Sequence, residues 1–165
     1  MVEGRRRPTI GILLAGTQNE YSDELIRGFY DCAKKEDVNL IFLLRAASPY
    51  SEGSTMFGNA ELNYNIQFGS IYDYVPMVQP DALIIAYGSL CSRKDVPVKS
   101  AMIKRYGNIP ILIMEDTSGN PEVPYISPDN YGGMYECVEH LLKDHGYRKI
   151  GFVAGPVKNY ESNAR

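Results

Sequence analysis

The sequence predicts an α/β fold, a doubly wound and mostly parallel sheet. Three observations predict it. Short continuous apolar runs such as Ile10–Ala15 and "ALIIA" at Ala82–Ala86 read as strands buried on both faces. Between them stand segments whose apolar residues recur at helical spacing. Helices alternating with buried strands build βαβ units around a parallel sheet.

The elements follow in order. Ile10–Ala15 is the first strand, ended by Gly16. A polar loop, "GTQNEYS", leads to a helix over Ser22–Glu36. Its apolar face is Leu25, Ile26, Phe29, Cys32 and Ala33. Val38–Leu44 is the second strand. Ala47–Gly58, rich in Ser, Gly and Pro, reads as a loop. Asn59–Val78 hints at a helix through Leu62, Ile66, Ile71, Val75 and Val78, against Gly69 and Pro76. Ala82–Ala86 is the third strand. Asp95–Tyr106 is a short helix stopped by Gly107. Ile109–Met114 and Pro124–Ser127 are the fourth and fifth strands.

Asp129 or Asn130 then caps a helix with apolar positions Met134, Cys137, Val138, Leu141 and Leu142. Lys143 and His145 suit the negative end of its dipole, and Gly146 supplies a left-handed stop. Ile150–Ala154 reads as a sixth strand.

Composition narrows the function. The 165 residues suffice for one sizeable core, and 44% apolar with 22% charged residues is globular. A net charge of −3 gives no broad attraction to nucleic acid, and Arg5-Arg6-Arg7 reads as a solvated tail. The apolar run after it is too short for a secretory signal, and no segment is long enough to span a bilayer. Cys32, Cys91 and Cys137 are odd in number and lack C-x-x-C spacing. They read as small core residues of a protein in a reducing compartment, by default the cytoplasm.

Ligands of doubly wound sheets sit at the carboxyl ends of the strands. The loops to test are therefore Gly16–Ser22, Arg45–Gly53, Tyr87–Arg93, Glu115–Gly119 and Gly155–Arg165. No catalytic set stands there. "LLAGTQNEYS" has one glycine and no dinucleotide fingerprint, and "GPVKNYESN" is no P-loop. No G-x-S-x-G elbow occurs, and the strand ends lack the acids of a phosphoacceptor domain. His140 and His145, five apart, miss the three or four residue spacing of helical metal ligands. They read as helix-end packing. Glu115-Asp116 would point to opposite sides of an extended chain, so one is a candidate acceptor and the pair is not an acid/base couple. Tyr21 and Tyr160 lie in loops at the ligand end, where a flat ring suits a sugar or base. The residues thus favour a binding module without catalysis, cofactor or metal.

The motif order resembles the effector-binding core of the lac repressor family, which is related in fold to periplasmic sugar-binding proteins. The residues that carry the resemblance are "PTIGILLAGTQNEYSDELIRGFYDCAKKEDVNLIFL", "PDALIIAYGS", "IPILIMED" and "SPDNYGGMYECVEHLLKDHGYRKIGFVAGPVKNYESNAR". It covers nearly the whole chain except about 50–79. It implies a periplasmic-binding-protein type I-like lobe over residues 8–128, after a tail at 1–7. Residues 129–165 would be the crossover and the first helix and strand of a second lobe, so that the chain carries an incomplete two-lobe fold.

The resemblance also implies site residues. Tyr21 stands where the loop after the first strand contributes an aromatic, with Asn19 and Ser22 beside it; Ser22 replaces a frequent second ring. Glu115 stands at the acid ending the fourth strand, and Asp116 where Arg is frequent. Tyr87 and Ser89 follow the third strand. Arg165 matches the arginine after the Gly-Pro turn, with Asn159 and Glu161 in the same loop. The implied partners are a small-molecule effector, a sugar or nucleobase, and a second copy of the chain, with no nucleic-acid or membrane contact by this segment.

In that family a helix-turn-helix lies ahead of the first strand, and the seven residues before Pro8 here depart from that repressor pattern. "DNYGGMYECVEHLLKDHGYRKI" is closer to a subset whose sensor core precedes a diguanylate cyclase or histidine kinase. The expectation is a cytoplasmic sensing domain of a bacterial signalling protein, non-catalytic in itself. The alternatives are the effector core of a DNA-binding regulator and the sensor part of such a cyclase or kinase.

Overall fold

The structure, a computed structural model, describes residues 6–15, 20–45, 70–91, 96–116, 119–155 and 163–165. Five strands form one sheet: β1 (Thr9–Ala15), β2 (Asn39–Arg45), β3 (Ala82–Ala86), β4 (Ile111–Met114) and β5 (Tyr125–Ile126). Their order is β2-β1-β3-β4-β5, and every neighbouring pair is parallel. The helices are α1 (Glu20–Glu36), α2 (Val75–Val78), α3 (Tyr87–Cys91), α4 (Val96–Arg105) and α5 (Asn130–Lys143); a 3-10 turn, Ser70–Tyr74, precedes α2.

The period-two alternation of the strands sorts the core into two layers. Ile12 pairs in register with Phe42 and Ile84. With Leu14, Leu40 and Leu44 these face Leu25, Ile26 and Phe29 of α1. The next residues along each strand point the other way. Leu13 pairs with Leu43 and Ile85, and Ile85 pairs with Ile113. They pack against Tyr72, Val75, Tyr87, Leu90 and Tyr106. Both faces are covered, which is why the strands read as unbroken apolar runs. Each fully buried Leu or Ile contributes about 1.5–3 kcal/mol through its burial.

Several boundaries and assignments differ from the sequence reading. α1 begins at Glu20, two residues before the expected Ser22, so Tyr21 stands in its first turn and not in a loop. Tyr87 opens α3 directly after β3, where a loop was expected. The chain at Ile150–Ala154 is not a strand: it pairs with no strand among the described residues, and Val153 is 97% exposed. An apolar run becomes a strand only when a neighbour takes up its backbone groups. α5 forms as its cap and spacing predict, with Asp129 Oδ1 accepting from Gly132 N at 2.8 Å. It buries no residue fully, so its apolar stripe has no matching layer among the described residues. Cys32 and Cys137 are exposed free thiols, not core residues. The loop expected at Ala47–Gly58, and residues 59–69 of the helix hinted at over Asn59–Val78, lie outside the described residues. Among the described residues no helix is long and apolar enough to cross a membrane.

Candidate functional site

The strand order reverses direction between β1 and β3: the chain first adds β2 on one side of β1 and then β3 on the other. Crossovers leave the sheet on opposite faces there, and in open α/β sheets ligands bind outside the carboxyl ends of the strands at such a point. Three segments meet at that edge. They are the first turn of α1 after β1, the start of α3 after β3, and Glu115-Asp116 after β4.

Glu115 is only 4% exposed, yet it carries a carboxylate. A buried carboxylate requires hydrogen-bond donors. Tyr21 provides one: its hydroxyl donates to Glu115 Oε1 at 2.5 Å. That length is typical of a hydroxyl on a carboxylate. The Tyr21 ring stays 52% exposed, so it shows a face to solvent while its tip is engaged. This is the combination by which an aromatic stacks on a flat ligand beside a hydrogen-bonding group.

The backbone positions the carboxylate. Glu115 N donates to Ile126 O at 2.9 Å, tying the end of β4 to β5. The residue has φ +72°, a left-handed conformation uncommon for a side chain with a Cβ. The extended geometry expected for Glu115-Asp116 is therefore absent, and the opposite-facing argument no longer applies: both residues are buried. Gly88 completes the arrangement. A Cβ there would stand 2.6 Å from Glu115 Cβ and 2.7 Å from Oε2. Only a residue without a side chain lets the glutamate lie against the start of α3.

The structure thus brings Tyr21 and Glu115 together, 94 residues apart in sequence. Ser22, next to Tyr21, is buried at the helix start. Tyr87 has no exposed surface and belongs to the core layer of α2 and α4. Ser89 has its backbone in α3, with its side chain outside the described residues. Arg165 donates from Nε to Asn130 Oδ1 at 3.0 Å, at the start of α5. Asn19, Asn159, Tyr160 and Glu161 lie outside the described residues. Sequence reasoning missed Gly88; a glycine two residues past a buried strand end was the available signal. Among the described residues no group of three or more His, Cys, Asp or Glu is placed to hold a metal ion.

No protein-family model matches the chain. No curated protein matches it in sequence. Solved structures do match in fold. The lac repressor dimer bound to operator and the anti-inducer ONPF superposes with a TM-score of 0.71 at 17% identity, over 98% of this chain and 49% of that one. The Escherichia coli transcriptional repressor ascG gives 0.64 at 18%, over 96% and 50%. A solute-binding protein of an ABC transporter from Burkholderia multivorans gives 0.63 at 17%, over 98% and 54%. The chain spans about half the length of the structures it matches. The fold is therefore α/β with a mostly parallel sheet, like a lobe of the type I periplasmic-binding-protein architecture.

Proposed function

We propose that this chain is the small-molecule sensing domain of a bacterial regulatory or signal-transduction protein. The observation that carries the reading is the Tyr21–Glu115 pair at the point where the strand order reverses. An exposed ring beside a buried acceptor suits a sugar or a nucleobase, whose hydroxyl or N–H groups donate while its flat face stacks. Arg165, which donates to Asn130 at the start of α5, would add charge-assisted donation. Closure around the ligand would shift an output equilibrium by the ligand's preference for one state. The effector is the chemical partner in this reading, a second copy of the chain the macromolecular one, and the domain itself carries no catalysis and no cofactor.

A second reading is the effector core of a DNA-binding regulator. Two of the three similar structures above are repressors, and one of them is bound to operator. The two readings share the site and differ in the output.

Calorimetric titration of the intact protein against sugars and nucleobases tests the shared part. Tyr21→Ala and Arg165→Ala are each expected to weaken the ligand that binds by about tenfold or more, the loss of roughly one good hydrogen bond or stacking contact. Unchanged affinity in both variants would sink the assignment. Sequencing the gene on both sides of this segment separates the outputs: a cyclase or kinase downstream supports the first reading, a helix-turn-helix upstream the second.

A further inference from the structure

We infer that His140 and His145 form a chelate for a late first-row divalent cation of the copper, nickel or zinc type, at the carboxyl end of α5. Their spacing of five falls outside the usual pattern for two ligands on a helix. The helix end overcomes this. His145 N donates to His140 O at 3.4 Å, and Tyr147 N donates to Leu141 O at 3.1 Å, around Gly146 with φ +68°. This wrapped terminus folds His145 back over the last turn. The two Nε2 atoms come to 3.0 Å, with ring planes at 88°.

That separation fits a metal. Two imidazole nitrogens about 2.0–2.1 Å from one cation are about 2.9 Å apart when they fill adjacent square or octahedral positions. The surroundings orient both rings. Asp144 Oδ2 lies 2.6 Å from His140 Nδ1 and holds that nitrogen as the donor, leaving Nε2 with its lone pair outward. The Tyr147 ring stacks on His145 at 5.5 Å and 9°. A cation held by both Nε2 atoms lies off the line between them and requires a lone pair on each, so His145 would carry its hydrogen on Nδ1 in the metal-bound form. The negative end of the helix dipole also favours a cation here, although Arg148 donates to Leu142 O nearby. Among the described residues no third ligand completes the set, so water or an external donor fills the remaining positions.

The rings are exposed, and a variant lacking either one should fold normally, as circular dichroism would verify. The experiment titrates the metal-free full chain with Cu(II), Ni(II) and Zn(II), and reads Cu(II) spin resonance for coupling to two imidazole nitrogens. One saturable site is expected. His140→Ala and His145→Ala should each weaken it by at least about tenfold, and Asp144→Asn should weaken it by up to about tenfold through lost orientation. Cys137→Ser, one turn before His140, should leave it unchanged. The inference is overturned by no saturable binding, by parent-like affinity in either histidine variant, or by a loss on Cys137→Ser that His145→Ala does not reproduce. None of these readouts involves the proposed effector.

Discussion

The Tyr21 hydroxyl donates to Glu115 Oε1 across 2.5 Å and so joins the first turn of α1 to the end of β4. The bond spans β3, whose following residues Tyr87 and Gly88 lie between the two segments in strand order. It fixes the carboxylate in one orientation at the carboxyl edge of the sheet. Tyr21→Phe keeps the ring and removes the donor. A hydrogen bond to a charged group contributes about 1.5–3 kcal/mol. The half-exposed ring puts the expected loss near the lower end, read as a lower midpoint in urea unfolding. An unchanged midpoint would mean that water replaces the hydroxyl at no penalty.

Gly88→Ala is expected to destabilise the protein more than an ordinary surface change. The new methyl would overlap both Glu115 Cβ and Oε2, and neither can withdraw easily from a buried site. Overpacking of this kind costs about 1–3 kcal/mol. Gly28→Ala serves as the control, because nothing lies within 4 Å of a Cβ there and the helix gains propensity. Thermal unfolding of the two variants side by side checks the contrast. Equal midpoints would contradict the close approach of α3 to Glu115.

Asp81 ties the entry to the sheet. Its carboxylate accepts from Thr9 N at 2.7 Å and pairs with Arg6. The Thr9 amide first, and then the Arg6 guanidinium, hold its pKa below the ordinary 3.8. A carboxyl depressed in the folded state adds stability that is complete above the unfolded value. That contribution fades as pH falls through the folded value. Asp81→Asn should therefore lower stability by a constant amount above about pH 5, with the gap to the parent protein narrowing below about pH 4. Urea midpoints across that range provide the measurement. A gap that widens on acidification would refute the sign.

Asp129→Ala removes the cap of α5. The side chain holds Gly132 N, and the backbone carbonyl of Asp129 accepts from Gly133 N at 3.0 Å. Loss of such a cap costs about 1 kcal/mol. Because α5 buries no residue fully, the effect should be local: faster amide exchange in its first turn, with the amides of β1 unchanged. Equal exchange rates at Gly132 in the two proteins would contradict the cap.

Leu13→Ala tests the core layer behind β1. Leu13 is fully buried among Leu43, Leu83 and Ile85. A cavity at a central strand should cost about 2–5 kcal/mol. A loss below 1 kcal/mol in urea unfolding would show that the two layers close over the gap.

The elements most legible in the sequence were those whose local signals agree. Ala82–Ala86 could be assigned to the residue because an unbroken apolar run between a Pro-Asp and a Tyr-Gly has few other uses. The limits of α5 followed from Asp129 at one end and Gly146 at the other. Tyr21 and the Glu115-Asp116 pair stood out by lying after the carboxyl ends of strands, and the family resemblance chose Glu115 of the two. Their contact could not be read from the sequence, since it depends on β3 and β4 standing on the same side of β1. Cys32 illustrates the reverse error. It sits at helical spacing with Leu25 and Phe29, yet the packed stripe is narrower than the apolar one and leaves it exposed.

By itself the sequence determined the parallel sheet and the helices on both of its faces, because those follow from local periodicity and from the chirality and connection rules of βαβ chains. Only the tertiary structure decided that Glu115 takes a left-handed backbone, that Gly88 makes room for it, that Tyr87 is core, and that Ile150–Ala154 pairs with no strand. Each of these depends on which groups from distant segments compete for one volume or one hydrogen bond. No local pattern encodes that competition.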